Sequence, residues 1–149
     1  MKIFTIGFTK KSAEEFFELL GENGVKLLLD IRLRNNSQLA GFAKGEDLRY
    51  FIEKILGIEY IHDIRFAPTD ELMDSYKDKK ISWDEFKKRF FDLMDERNIE
   101  EVLKKEYLNK IDGICLLCSE EKAKGCHRSL VAEYIKEKMG QEDIEIIHL

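Results

Sequence analysis

Proline occurs once in this chain of 149 residues and cysteine only three times. A single proline leaves no proline-rich linker, and neither an internal repeat nor a low-complexity stretch interrupts the sequence, so one domain is expected over residues 1–149. A sparse and odd cysteine count excludes the dense, even-numbered disulfide framework of small secreted proteins. Reduced thiols fit better, and the expected location is the cytoplasm. Long apolar runs are missing too. No window approaches the roughly 18 residues needed to cross a bilayer, and Met1–Phe8 is too short for a leader, so no membrane association is expected. An excess of basic charge is also lacking: 25 Lys and Arg stand against 30 Asp and Glu, interleaved along the chain, for a net charge of −5. That balance argues against a sequence-independent grip on nucleic acid, although it leaves room for a local basic pocket. There is no Walker loop, no Gly-x-Gly-x-x-Gly and no Gly-x-Ser-x-Gly, which removes the familiar nucleotide and hydrolase signatures.

What the chain does have is a hydrophobic share of 44%, enough to build a core and to exclude disorder. Met1–Ile6 reads as a strand. Ser12 and Glu15 form a capping box that opens a helix carrying Phe16, Leu19 and Leu20, and Val25–Ile31 follows as a largely apolar strand. This strand–helix–strand unit favours a parallel pair with a right-handed crossover. Glu46–Leu56 reads as a helix stopped by Gly57, Ile58–Ile61 as a short strand, and Thr69–Tyr76 as a short helix. A second capping box at Ser82 and Glu85 opens another helix, and Asn98 is expected to cap the next, which runs to about Leu108. Ile111–Cys118 is a strong strand, Cys126–Met139 an amphipathic helix and Ile144–His148 a final strand. The alternation predicts a three-layer α/β sandwich: a mostly parallel, roughly five-stranded Rossmann-like sheet with helices on both faces.

In such sheets ligands bind outside the carboxyl ends of the strands. Three loops are singled out by that rule: Gly7–Lys11 with Thr9; Asp30–Ser37 with Asp30, Arg32 and Ser37; and Cys118–Arg128 with Cys118, Glu120, Cys126, His127 and Arg128. At a helix start, Cys126 would sit among free backbone amides that lower a thiol pKa. Arg128 offers a fork for carboxylate or phosphate, and His127 a group that titrates near neutrality. Glu120 could pair with Arg128, orient His127 or act as a base. Structural alternatives stand beside each assignment. Cys118 and Cys115 read as small buried hydrophobes, and Arg128 as an anchor for its loop through Glu120 or Asp30. His62 and His148 read as ordinary histidines, Trp83 as packing, and Lys77–Lys80 as a solvated turn. Cys118, Cys126 and His127 are three soft donors within ten residues, yet Cys-x7-Cys-His is no standard zinc-finger spacing and no fourth soft ligand is evident. No metal site is therefore assigned, and zinc is kept as an alternative.

Together, Thr5-Ile6-Gly7-Phe8-Thr9, Leu29-Asp30-Ile31-Arg32 with Ser37 and Phe42, Leu116-Leu117-Cys118-Ser119-Glu120, and Cys126-His127-Arg128 resemble the domain-of-unknown-function 488 family over nearly the whole chain. The resemblance implies an α/β domain found mainly in bacteria and archaea, and no established reaction. Phe8 stands where members commonly carry His, which removes a candidate acid, base or ligand. Ile61–Ala67 with Pro68 replaces a glycine-rich stretch. The expected function is an enzyme acting on a small anionic substrate, phosphate-bearing, nucleotide or derived from nucleic acid. Cys126, His127, Glu120 and Asp30 would be its catalytic groups, and Arg128, Arg32, Thr9, Ser37 and Cys118 would hold the substrate. The rivals are a non-catalytic nucleotide or nucleic-acid binding module and a structural zinc site. The sequence names no cofactor and no oligomeric state.

Overall fold

In the computed structural model of the chain, residues 1–36, 40–140 and 143–149 are described. The strands are β1 (Lys2–Gly7), β2 (Leu27–Asp30), β3 (Glu59–His62), β4 (Ile114–Cys118) and β5 (Glu145–His148). The helices are α1 (Ala13–Glu22), α2 (Gly45–Phe51), α3 (Asp70–Lys77), α4 (Trp83–Glu96), α5 (Ile99–Val102) and α6 (His127–Lys138). The sheet order is β3-β2-β4-β1-β5, and every pairing is parallel. The three-layer sandwich is therefore observed, with a wholly parallel sheet.

Burial follows the two-residue period of the strands. Ile3, Leu27, Leu29, Ile114 and Leu116 face a core built with α4 and α6. Phe4, Ile6, Leu28, Cys115 and Leu117 face the opposite core, built with α1 and α2. All positions of β2 and β4 are buried, as expected of strands covered on both sides. The links β1–β2 and β2–β3 thus pass over one face, and those leading to β4 and β5 pass over the other. Strand β4 lies between β2 and β1, whose outgoing chains leave to the opposite face from its own. Its carboxyl end is the switch point where open α/β sheets place their ligands.

The capping boxes hold: the Ser12 and Ser82 hydroxyls accept from the amides of Glu15 and Glu85, both at 3.1 Å. The helix expected over Glu46–Leu56 is split into α2 and a wider π turn, Ile52–Leu56, closed by Gly57 at φ 64°. The expectation for Asn98 is corrected. It precedes α5 in the left-handed region, at φ 56°, and its side chain makes no cap bond. What Asn contributes there is tolerance of a positive φ. Among the described residues no helix is long and apolar enough to cross a membrane.

Candidate functional site

The carboxyl ends of β1, β2 and β4 lie side by side, so their three loops meet. Thr9 ties the first to the third, its backbone amide (3.1 Å) and hydroxyl (2.5 Å) both donating to the Ser119 carbonyl. That use of Thr9 is structural, whereas its expected part was substrate contact. Gly7 lies where the two loops touch: a Cβ there would overlap the Glu120 carbonyl, so a side chain is excluded at this approach.

Arg128 is fully buried. Its guanidinium donates to the carbonyls of Glu120 (2.6 Å) and Glu121 (3.2 Å), to the Thr5 hydroxyl (3.3 Å) and to Cys126 Sγ (3.7 Å). The expected role as an anion fork is therefore corrected: its donors are committed to folding the 119–125 loop onto α6. Glu120, an exposed residue, meets Arg128 through its backbone carbonyl rather than its carboxylate.

Asp30 is also placed differently from expectation. Following Leu29 on β2, it projects to the α2 side of the sheet, away from Cys118. Its carboxylate accepts from Arg32 Nε (2.8 Å), Arg32 Nη2 (2.7 Å) and the Tyr60 hydroxyl (2.5 Å). Burial, and then the Asp30 charge, push the Tyr60 phenol well above its ordinary pKa. Asp30 is thus the orienter of Arg32. Arg32 is only 5% exposed, and its guanidinium carbon lies 5.3 Å from the centre of the Phe8 ring. Nη1 of Arg32 is the one buried side-chain N or O atom among the described residues with no hydrogen-bond partner. An orphaned guanidinium donor is costly in a finished interior and marks a place where an acceptor belongs.

Arg32 lines one lobe of a cleft, of about 270 Å³, together with Phe8, Cys118 and His127. A second lobe of about 260 Å³ is lined by Tyr76, Trp83, Phe86 and Cys126 and shares Lys77, Cys118 and His127 with the first. Trp83 and Phe86 are stacked, 5.2 Å between ring centres and 11° between planes. The sequence reading of Trp83 as packing is half of its environment; Lys77–Lys80 is exposed, as the reading of a solvated turn has it, and Lys77 also lines both lobes. No spacing rule points to Lys77, because only the fold of α3 against the β4 end brings it there. Ser37 lies outside the described residues.

At the junction of the lobes stand Cys118, from the end of β4, and Cys126 and His127, from the start of α6. One donor atom from each lies within 4.8 Å of the others. His127 Nε2 is 3.1 Å from the Ile31 carbonyl, which can only accept, so this nitrogen carries the proton. The Nδ1 lone pair is then left 3.6 Å from Cys118 Sγ. A hydrogen bond from Cys126, the amides of Ser119 and Glu120, and the Arg128 charge together hold the Cys118 thiol below its ordinary pKa, against the opposing cost of burial. The bond to Cys118, and then burial, push Cys126 up. The two thiols are coupled to each other, and Cys118, read as a substrate contact, sits beside Cys126, the expected nucleophile, in one cluster. Cys115 lies on the other face of β4, and burial raises its pKa strongly. Chemically, such a centre can pass a proton between thiol and imidazole or hold a soft cation.

The sequence profile of the family described as a domain of unknown function, DUF488, matches residues 12–135. The chain belongs to that family. No curated protein and no solved structure matches it.

Proposed function

We propose that the chain is an enzyme acting on a small phosphate-bearing substrate of nucleotide type, bound in the two-lobed cleft, with the Cys118–Cys126–His127 cluster as its reacting centre. The observation that carries the reading is the unpartnered Nη1 of Arg32, buried in the wall of a cleft that also contains Cys118 and His127. A phosphate oxygen supplies the acceptor that Nη1 lacks, and Asp30 already fixes the guanidinium in place through its other two nitrogens. Lys77 adds a second cation on the shared wall. Tyr76, Trp83 and Phe86 give the second lobe an aromatic lining suited to a planar ring. Together the lobes fall in the range of small-molecule sites, roughly 300–1,000 Å³.

The test is turnover of a panel of nucleotides and other phosphorylated metabolites by the full chain. Replacing Cys118 by Ser is expected to lower turnover at least about 100-fold while ligand binding persists. Binding of nucleotides with no turnover of any would replace this reading by the non-catalytic binding module.

A further inference from the structure

We propose that Cys118, Cys126 and His127 bind one zinc ion, with the fourth coordination position open to the cleft. This deepens the reading above, on which it rests only for what occupies that fourth position.

The first support is distance. Zinc bonds of about 2.3 Å to sulfur and about 2.0–2.1 Å to nitrogen give a tetrahedral sulfur–nitrogen edge of about 3.6 Å. Cys118 Sγ and His127 Nδ1 stand 3.6 Å apart, and the three donors all lie within 4.8 Å of one another. The second is orientation. Metal-bound histidines hand their other ring proton to a carbonyl or carboxylate, and His127 Nε2 already meets the Ile31 carbonyl, which leaves Nδ1 as the nitrogen free to ligate; Cys118 Sγ stands 3.6 Å from Nδ1 and 3.8 Å from Nε2, so a turn of the ring completes the approach. The third is charge. Among the described residues, the hydrogen-bond partners of the fully buried Arg128 are neutral oxygens and the Cys126 sulfur, with no carboxylate. A buried cation with no carboxylate partner favours anionic sulfur beside it, and thiolate is the form in which cysteine ligates zinc. Two thiolates, a neutral imidazole and a divalent ion form a neutral centre beside the single charge of Arg128, a balance that an anionic ligand completes. The fourth is access: Cys118 and His127 line both lobes, so the remaining position faces the cleft. Three protein ligands and one open position distinguish a reactive zinc site from a structural one.

The Cys-x7-Cys-His spacing does not match a zinc finger because the site is closed differently. A strand end and a helix start supply the ligands, and Arg128 holds the intervening loop.

The experiment is metal analysis of reduced full-length chain purified without chelators, followed by cobalt titration of the stripped protein. About one equivalent of zinc is expected, and cobalt should give thiolate charge-transfer and tetrahedral visible bands. Cys118→Ser and His127→Ala should lose both signals, and Cys115→Ser and Arg32→Lys should keep them. Wild-type protein that is folded by circular dichroism and fully reduced, yet holds less than a tenth of an equivalent and shows no thiolate–cobalt band, overturns the proposal whatever the variants do. Phosphate binding that survives this result leaves the substrate reading standing. A metal-loaded chain that binds no phosphate compound sinks the substrate reading alone.

Discussion

Two arginines enclosed in the same end of the sheet carry opposite assignments, and the difference lies in their hydrogen bonds. Arg128 has a carbonyl, hydroxyl or sulfur for each nitrogen of its guanidinium, whereas Arg32 has one nitrogen without a partner. Replacing Arg128 by Met should therefore act on stability: a loss of about 2–4 kcal/mol, seen as a melting temperature lower by about 5–15 °C. Replacing Arg32 outright would strand the buried Asp30 carboxylate, so Arg32→Lys is the informative change. It keeps a cation beside Asp30 but removes the fork. Affinity for a phosphate-bearing ligand should fall at least about tenfold, corresponding to about 1.4 kcal/mol, with the melting temperature little changed. Titration calorimetry beside a thermal melt separates the two effects.

Among the elements, the β4–loop–α6 unit supplies the reacting groups, and the β1 end determines how closely its loop can pack. Gly7→Ala should push the Glu120 carbonyl outward and cost at least about 2 kcal/mol, read by urea unfolding. At the edge of the sheet, Asp63 follows β3 and accepts from Arg65 (2.9 and 2.7 Å) and from the Tyr107 hydroxyl (2.8 Å), linking β3 to the turns that follow α5. Burial opposes the Asp63 charge, but these bonds outweigh it and lower its pKa. Its stabilising contribution is therefore complete above the ordinary carboxylate value of about 4 and fades as pH falls through the lower folded value. The urea midpoints of wild type and Asp63→Asn should be separated at pH 7 and draw together as pH falls below the ordinary carboxylate value. At this scale much was legible in the sequence. Ser12 and Ser82 announced their helices through local chemistry, and the apolar runs of β2 and β4 announced strands covered on both faces. The side of the sheet to which Asp30 turns was not legible, because it depends on strand register and on a partner, Tyr60, thirty residues away on β3. Arg128 was legible as an anchor for its loop through Glu120, but not that the acceptors are the backbone carbonyls of Glu120 and Glu121, since these leave no mark in the order of side chains. Cys118 and Cys126 were visible as a cluster, but their approach to each other and to the Ile31 carbonyl through His127 depends on how the β4–α6 loop folds.

For the whole molecule, a net charge of −5 coexists with a cleft lined by the buried Arg32 and the exposed Lys77, with Asp70 and Asp74 also on its wall. The acidic surface disfavours long polyanions, and the buried guanidinium of Arg32 favours a small one. The strand order makes this possible by putting β4 between β1 and β2, so that a phenylalanine, an arginine and a thiol from three separate loops share one cavity. The most direct measurement is calorimetric titration of a nucleoside 5′-monophosphate, and of its parent nucleoside, into wild type and Arg32→Lys. The account predicts one site, a monophosphate bound at least about tenfold tighter than the nucleoside, and loss of that preference in Arg32→Lys. Equal binding of both ligands by wild type, or an unchanged preference in the variant, would contradict it.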